Sequence, residues 1–448
     1  MNLRTPATFS ANHQACDGTL TRRQTLCALL AAGAWSALPP LVATANPVIP
    51  GAPQAKPIAI VKATLHPASS APIADGTIVF DQGKIVALGK DLEPPADAVR
   101  IDGQGKHVYP GLFDALNNVG LVEINSVRAT KDDVEVGELN PNVRAQVAVN
   151  PDSEIIPTTR SNGVLLTLAA PSGGLMSGRS AVLQLDGWTW EDLTLKADVA
   201  LHIQWPAMTP TGDPRDKQLE QLVRTLEQAR AYAKARQADP DRHPLDLRYE
   251  SLQPVLQGKM PIIAHADEAQ QIKSAVGFAR QQGLKLIIYG GYDAPRCADL
   301  LKQNQVPVIL EGTYRLPMRR SDEYDAAYTA PERLRAAGVT YCIASSKGHG
   351  ASNARNLPYQ AGTAVAYGLP HDEALKAITL YPAQILGVAD KVGSLEVGKD
   401  ATLFIADGDP LETPTQVLDA YIQGRLVSLD DRHKALWRKY QEKYRRQK

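Results

Sequence analysis

The polar residues of this sequence best suited to chemistry stand at the ends of short apolar runs. His265 and the acids Asp267 and Glu268 follow the run PIIA, and Glu311 stands near the end of the run PVILEG. A histidine beside carboxylates can bind a metal ion or act as a general base, because its pKa lies near neutrality and a neighbouring carboxylate raises it. Asp267 and Glu268 can equally stabilise the first turn of a following helix. Acid–base or metal chemistry is therefore expected around His265.

Hydroxyl, amide and cationic side chains stand near the ends of other runs. Asn118 comes shortly after the run LFDAL, and Ser345 and Ser346 end the run TYCIASS. Such groups can donate hydrogen bonds to the oxyanion that forms when water adds to a carbonyl group. Further along, Arg355 has the planar guanidinium that binds a substrate carboxylate through two hydrogen bonds. His349, which is flanked by glycines, can bind substrate or be a mobile surface residue.

A parallel sheet buried on both faces is expected to position these groups. Across residues 109–390, apolar runs alternate with longer stretches of helical pattern, which is typical of successive βα units. The runs are GVLLTLA, DVALHI, PIIAHA, LKLIIY, PVILEG and TYCIAS. They are too continuously apolar for strands with one wet face, and an α/β fold of the (β/α)8 TIM-like barrel type accounts for them. Catalytic groups of such barrels lie at the C-terminal ends of the strands, where His265, Glu311 and Ser345 fall.

The segments on either side of the barrel carry a different pattern. Residues 58–108 contain short runs rich in Val and Ile, broken by Gly and Asp-Gly, which predict antiparallel strands and hairpins. Residues 391–430 return to strand signals, so the two segments are expected to build one small composite β-sandwich beside the barrel. Residues 46–57 are expected to be a Pro-rich linker, and residues 431–448 a basic helix that faces solvent.

Four blocks of this chain resemble the amidohydrolase superfamily. Tyr109–Asn118, YPGLFDALNN, resembles the first barrel strand of that superfamily, in which Pro-Gly-(apolar)-(apolar)-Asp-Ala is followed by His-x-His. Gly393–Asp400, with ATLFIADGDPLE after it, is similar to the stretch that closes members of the imidazolonepropionase-like branch, including exported ones. His371–Val388 is similar to the helix pair before that stretch, and Pro261–Ile272 to the fifth-strand motif. The resemblance covers residues 56–428. It implies a hydrolase in which a bound cation polarises a carbonyl group and lowers the pKa of an attacking water.

The metal-ligand positions implied by the resemblance carry other residues here. Leu116 and Asn118 stand where the His-x-His pair is expected, and the strand at 284–291 ends in Tyr-Gly-Gly where a second histidine is expected. Ser345 stands near the position of an expected aspartate, so His265 is the one family ligand that remains. The resemblance implies zinc, but these residues predict at most one weakly bound divalent metal ion, or none. A rebuilt set of ligands would draw on His265, Asp267, Glu311, Asn118 and His349.

Two functions of different classes remain open. The first is an exported hydrolase that acts on a carbon–nitrogen bond, other than a peptide bond, in a small-molecule amide or imide. In it, the catalytic residues are His265, Glu311 and Ser345, and the substrate-binding residues are Asn118, Asp267, Arg355 and His349, with His265 as the metal ligand if a metal ion is bound. The second is a catalytically inactive pseudoenzyme that binds a periplasmic ligand or partner. Neither a P-loop nor a G-x-S-x-G elbow occurs in the sequence, which argues against nucleotide and serine-hydrolase chemistry.

The N-terminal residues predict export. Thr21–Leu26, TRRQTL, resembles a twin-arginine motif, and an alanine-rich apolar run leads on to the small residues Ala43–Ala45, which suit a signal peptidase. Pro39 and Pro40 cut the apolar run below the roughly 20 residues that a membrane span needs. We therefore expect residues 1–45 to be a signal peptide, and the mature protein to be periplasmic without a membrane anchor.

Charge and cysteine content narrow the class of protein further. The chain of 448 residues has 48 basic and 48 acidic residues, and this formal net charge of zero argues against a nucleic-acid or acidic-membrane partner. Two of the four cysteines lie in the predicted signal. The other two, Cys297 and Cys342, fall in separate strand-helix units, and we expect both to be buried free thiols.

Overall fold

The computed structural model describes residues 48–208, 213–345 and 351–447, in which the strands form three sheets. The strands are β1 (Ile58–Leu65), β2 (Ile73–Asp81), β3 (Lys84–Lys90), β4 (Val99–Asp102), β5 (His107–Pro110), β6 (Leu112–Asn117), β7 (Val164–Ala169), β8 (Met176–Arg179), β9 (Ala181–Gln184), β10 (Thr194–Lys196), β11 (Leu201–Gln204), β12 (Ile262–Ala266), β13 (Leu286–Gly290), β14 (Val308–Glu311), β15 (Tyr341–Ala344), β16 (Leu403–Ala406), β17 (Val417–Ile422) and β18 (Arg425–Val427).

Helices connect most of the central strands. They are α1 (Ile155–Arg160), α2 (Trp190–Leu193), α3 (Asp213–Ala238), α4 (Leu247–Leu256), α5 (Ala269–Gln282), α6 (Ala298–Gln303), α7 (Ala326–Ala337), α8 (Leu357–Ala366), α9 (His371–Ala377), α10 (Leu380–Ile385) and α11 (Arg432–Arg445). None of the helices in the described ranges is both long and apolar enough to cross a lipid bilayer.

The two terminal segments pair in one sheet of eight strands. Its order is β18-β17-β16-β5-β1-β2-β3, with β4 beside β1. The join between the segments is antiparallel: Leu403 of β16 lies opposite Pro110 of β5, and Phe404 opposite Tyr109. The strands expected from residues 58–108 and 391–430 thus belong to one hydrogen-bonded sheet, and a two-layered sandwich stays a prediction.

The apolar runs of the central segment form parallel strands. Strands β11 to β15 are parallel in chain order and form the core of one sheet, and β6 and β7 are parallel in another. The two sheets approach each other at β6 and β15, where the Ser345 N–H donates to Asp114 Oδ1 at 2.9 Å. They approach again beside β11, where the Ser180 N–H donates to the Ala200 carbonyl at 3.0 Å. Closure into a barrel of eight parallel strands stays a prediction.

Alternation along the parallel strands separates two buried faces. The side chains on one face form a single apolar cluster, which contains Ile263, Ile287, Ile309, Cys342 and Phe113. Their neighbours along the strands point to the other face and belong to a second apolar cluster. Because side chains along a strand alternate between the two faces, residues two positions later return to the same face. His265, Tyr289 and Glu311 stand two positions after the three isoleucines, so they continue this face at the ends of β12, β13 and β14.

The cysteine prediction is confirmed for the residues described. Cys297 and Cys342 are both free and buried. Burial in apolar surroundings raises the pKa of both thiols, so neither is a reactive thiolate.

Candidate active site

Two histidines meet at the end of β12. Nδ1 of His202, on β11, lies 2.9 Å from Nε2 of His265, and the His265 ring is 4.8 Å from the ring of Tyr289. His202 is fully buried. Because only one of the two facing nitrogens can donate when both rings are neutral, this bond couples their tautomers and fixes the orientation of His265. His202 is a site residue that the sequence analysis missed, although a histidine inside the apolar run DVALHI was a signal for it.

A buried carboxylate joins β6 to the end of β15. Asp114 accepts at Oδ1 from the Ser345 N–H at 2.9 Å, and at Oδ2 from the Ser345 hydroxyl at 2.5 Å and from Nδ2 of Asn117 at 2.8 Å. Burial raises the pKa of Asp114 to about 6, although the hydrogen bonds from Ser345 and Asn117 oppose this rise. Ser345 is thus a buried partner of Asp114, and the catalytic role proposed for its hydroxyl stays a prediction. The sequence analysis did not single out Asp114.

Asn118 lies in a tight turn just after β6. Its N–H donates to Asn117 Oδ1 at 2.6 Å, and its carbonyl accepts from the Leu121 N–H at 3.0 Å. The side chain is nearly buried. These contacts explain the local backbone, and the substrate-binding role of Asn118 stays a prediction.

An arginine that the sequence analysis missed binds the two predicted acids. Nη1 of Arg315 lies 2.8 Å from Asp267 Oδ1 and 3.8 Å from Glu311 Oε2. The Arg315 guanidinium carbon is 5.4 Å from the ring centre of Tyr292, whose N–H also donates to Asp267 Oδ1 at 3.2 Å. Burial opposes the charge, but the hydrogen bond to Asp267 and the charges of Asp267 and Glu311 outweigh it and raise the pKa of Arg315. Asp267 and Glu311 therefore share one cation.

A second set of ion pairs holds the chain segment that carries Arg315. Arg319 donates through two nitrogens to buried Asp293, at 3.0 Å and 2.7 Å. Asp322 accepts from Arg296 at 3.0 Å and from the Tyr292 hydroxyl at 3.1 Å. The segment after β14 is therefore fastened to the segment after β13, and Arg315 is fixed beside Asp267.

Of the two predicted acids, Glu268 takes the helix-capping role, because it is the N-cap residue of α5 and forms a capping box with Gln271. Gln271 Oε1 accepts from the N–H groups of Asp267 and Glu268, each at 3.2 Å, and Asp293 Oδ2 accepts from the Ala269 N–H at 3.0 Å. The Asp267 side chain is therefore directed to Arg315 and does not cap α5.

Two predicted residues are placed elsewhere or lie outside the described residues. Nη1 of Arg355 lies 2.9 Å from Nδ1 of His433, and its carbonyl accepts from Nδ2 of Asn162 at 2.7 Å. Within the described chain its hydrogen bonds join the C-terminal helix and the segment after α1, not Asp267 or Glu311, because a short 3-10 helix over Ala351–Asn356 turns it there. His349, like Ser346, lies outside the described residues, so its role stays a prediction.

We call His202, His265, Asp267, Tyr289, Glu311 and Arg315 the strand-end site. The Tyr289 hydroxyl is buried and has no hydrogen-bond partner within the parts of the chain that the structure describes. Burial, together with the negative charges of Glu311 and Asp114, raises the pKa of Tyr289 well above its ordinary value. Tyr289 is therefore a protonated donor beside the His265 ring.

The residues at the implied zinc positions do not fit a zinc site. Within 48–208, 213–345 and 351–447, no group of three or more His, Cys, Asp or Glu residues has the arrangement to hold a metal ion. Leu116 is buried without a donor atom, and the Ser345 hydroxyl donates to Asp114. At the end of β13 the residue opposite His265 is Tyr289, whose buried phenol keeps its proton and does not replace a histidine ligand.

Comparison with known proteins assigns the chain to a family. The Amidohydrolase family model matches residues 260–427. An imidazolonepropionase from Mesorhizobium japonicum is 25% identical over 397 residues, which are 82% of this chain and 92% of that protein. The amidohydrolase tasK of Hapsidospora irregularis is 20% identical over 392 residues, which are 78% of this chain but 39% of that protein. The chain thus spans well under half of that larger relative.

Solved structures agree with this assignment. An amidohydrolase from Thermotoga maritima superposes with a TM-score of 0.75 at 26% identity, covering 83% of this chain and 99% of that one. A prolidase complexed with N-methylphosphonate-L-proline covers the same shares at a TM-score of 0.51 and 16% identity, which shows similarity of fold alone. The chain belongs to the amidohydrolase superfamily, in its imidazolonepropionase-like branch. The resemblance seen in its motifs is confirmed, and the structural neighbours imply a TIM-barrel-type fold of mixed α/β content.

Proposed function

We propose that this chain hydrolyses a carbon–nitrogen bond, other than a peptide bond, in a small amide or imide. The observation that carries the proposal is His265, which stands at a strand end, bonded to buried His202 at 2.9 Å and beside the protonated hydroxyl of Tyr289. A base and an oxyanion donor at one place are the two parts that hydrolysis of an amide needs. Membership of the amidohydrolase superfamily, with an imidazolonepropionase among its relatives, supports this class of substrate.

The proposed reaction uses the chain's own side chains. His265 takes a proton from water as the oxygen attacks the carbonyl carbon, and the carbonyl electron pair moves onto oxygen. The Tyr289 hydroxyl donates a hydrogen bond to that oxyanion, because its raised pKa keeps the proton on the phenol. The oxyanion then re-forms the carbonyl as the carbon–nitrogen bond breaks, and His265 gives its proton to the leaving nitrogen. The products are a carboxylic acid and an amine or amide.

His202 positions the base in this scheme. With His202 fully buried and bonded to His265, the His265 ring has one fixed orientation before substrate arrives. Glu311 acts through Arg315, since its carboxylate helps to hold the guanidinium next to Asp267. Asn118, Asp267 and His349 are retained as the substrate-binding residues of the proposal, whereas Arg355 is left out because its guanidinium contacts His433.

The second candidate is a pseudoenzyme that binds a small ligand. One observation favours it: the residues at the implied metal positions do not fit zinc, as Leu116 and Tyr289 show. Such a protein would keep the TIM-barrel-type fold and bind its ligand at the same strand ends, without turnover.

We also infer that the protein is exported to the periplasm and that its two central sheets close as a (β/α)8 barrel beside a composite sandwich. The twin-arginine pattern at Thr21–Leu26 and the small residues Ala43–Ala45 support export, and both lie outside the described residues. The mature chain is then expected to begin near Asn46. Intact mass of the protein recovered from the periplasm tests this, and a soluble exported pool that retains residues 1–45 contradicts it.

Turnover of a substrate panel tests the proposed function. The purified mature chain is assayed against acyl amides, cyclic imides and lactones, and the melting temperature is measured with each compound. The proposal expects hydrolysis of at least one amide or imide. If no compound is turned over while some raise the melting temperature, the pseudoenzyme is correct instead.

A further inference from the structure

We propose that the guanidinium of Arg315 is the resident cation of the strand-end site, and that this site takes no divalent metal ion. Related reactions of the superfamily rely on a bound cation, as the resemblance implies, and among the described residues those at the implied positions do not fit zinc. The proposal deepens the proposed function of the same site, but it makes a claim about charge that holds whether or not turnover is found.

The first support is the geometry of Asp267 and Glu311. The two carboxylates belong to the ends of β12 and β14, and both face the same nitrogen, Nη1 of Arg315, at 2.8 Å and 3.8 Å. Oxygen ligands from neighbouring strand ends are what a hard divalent cation would use. Here a guanidinium occupies the space between them.

The second support is that surrounding contacts fix the position of Arg315. Its guanidinium lies over the Tyr292 ring, and the segment that carries it is fastened by the pairs of Arg319 with Asp293 and of Arg296 with Asp322. A divalent ion would have to displace this cation or sit beside it, and like charges in a partly dry site repel each other strongly.

The chemical consequence concerns the attacking water. A guanidinium donates hydrogen bonds and neutralises carboxylates, but it does not bind water as a ligand and lower its pKa as zinc does. The site therefore depends on a protein base, and His265 is the group placed to take the proton. The substrate carbonyl is then stabilised by hydrogen bonds alone, from Tyr289 and from Arg315, whose side chain is 18% exposed.

Metal content and melting temperature, measured without substrate, test the proposal. The wild-type mature chain and Arg315→Ala are expressed with zinc and manganese, dialysed, and analysed by elemental mass spectrometry. Both are then melted with added Zn²⁺ or Mn²⁺. We expect the wild type to keep no stoichiometric metal and to melt unchanged with metal or chelator. Arg315→Ala leaves Asp267 and Glu311 without this cation, and we expect added metal to raise its melting temperature by about 3 °C.

Arg319→Gln is the matched control. It also removes one arginine from the same segment, but its partner Asp293 lies outside the strand-end site. It should melt earlier than the wild type and gain no response to metal. A wild-type chain that holds an equivalent of metal, or an Arg315→Ala that melts alike with and without metal, overturns the proposal. If Arg315→Ala does not fold, the wild-type metal content decides by itself. The experiment does not measure turnover of any substrate. A result that overturns the proposal about Arg315 is therefore separate from a result that overturns the proposed hydrolysis.

Discussion

Two arginine–aspartate pairs in this molecule have similar lengths and different surroundings. Arg160 lies 3.0 Å from Asp186 with side chains that are 2% and 1% exposed. Arg315 lies 2.8 Å from Asp267, and there the exposed fractions are 18% and 29%. Arg160 also donates to the carbonyls of Leu185 and Ser428, so the first pair links α1, β9 and the end of the terminal sheet.

The two pairs differ in how burial changes the pKa values of the paired side chains. Burial raises the pKa of Asp186 and lowers the pKa of Arg160, so desolvation outweighs the pairing in both partners. At Arg315 the balance is reversed, and its carboxylate partners raise the pKa. The buried pair is therefore a constraint on the fold, whereas the Arg315 pair lies where solvent reaches both side chains.

Breaking each pair tests this contrast. Asp186→Asn leaves the buried guanidinium of Arg160 without its carboxylate and should lower the free energy of unfolding by about 3–5 kcal/mol. Asp267→Asn breaks a pair that water reaches and should cost about 1 kcal/mol or less. Urea denaturation of the two variants measures both values. If both variants lost the same free energy of unfolding, burial would not distinguish the two pairs.

The buried carboxylate of Asp114 gives a second, pH-dependent contrast with the exposed pair. The pKa of Asp114 in the folded protein is about 6, above its ordinary value of 3.8, so the folded state binds the proton more tightly than the unfolded state. The contribution of Asp114 to stability is then fully present below about pH 4 and is lost as the pH rises through 6, by about 3 kcal/mol in all.

Denaturation of wild type and Asp114→Asn between pH 4 and pH 7 measures this change, because the amide does not titrate. The free energy of unfolding of the variant should rise relative to that of the wild type as the pH rises. A difference that stays constant across this range would mean that Asp114 has an ordinary pKa.

The smallest effect is expected at a third pair, that of His371 with Asp409, which solvent reaches. Nε2 of His371 lies 2.6 Å from Asp409, and this hydrogen bond raises the pKa of His371. The pair therefore adds stability below the unfolded pKa of His371, and this is lost as the pH rises through the higher folded pKa. Because the His371 side chain is 43% exposed, His371→Gln should cost less than about 1 kcal/mol at pH 6. The difference in melting temperature between wild type and His371→Gln should be smaller at pH 8 than at pH 6. An equal difference at both pH values would rule out this titration.

Local pattern was enough to predict the strands and the residues at their ends. The run PIIAHA became β12 with His265 near its end, and PVILEG became β14 with Glu311 as its last residue. Continuous apolar runs give strands buried on both faces, whatever follows later in the chain. The motif resemblance also predicted the superfamily, which the comparisons confirm.

The partners of those residues could not be predicted in the same way. His202 is 63 positions from His265, and Arg315 is 48 positions from Asp267. The spacing of residues along the chain therefore does not predict either contact. Asp114 and Ser345 are separated by 231 positions. Arg355 shows the opposite case, because a suitable side chain near a strand end was turned by a short 3-10 helix to contact His433. Residue type predicts chemical capacity, and only the fold decides what each side chain contacts.

The ratio of kcat/KM between wild type and His265→Ala tests the central claim most directly. It is measured on whichever amide or imide the wild type hydrolyses, with melting curves to show that both proteins are folded. Because His265 is the proposed base, its loss should lower kcat/KM by about 10² to 10⁴ while the melting temperature changes little. A folded His265→Ala that hydrolyses the same compound at the wild-type rate would contradict the account.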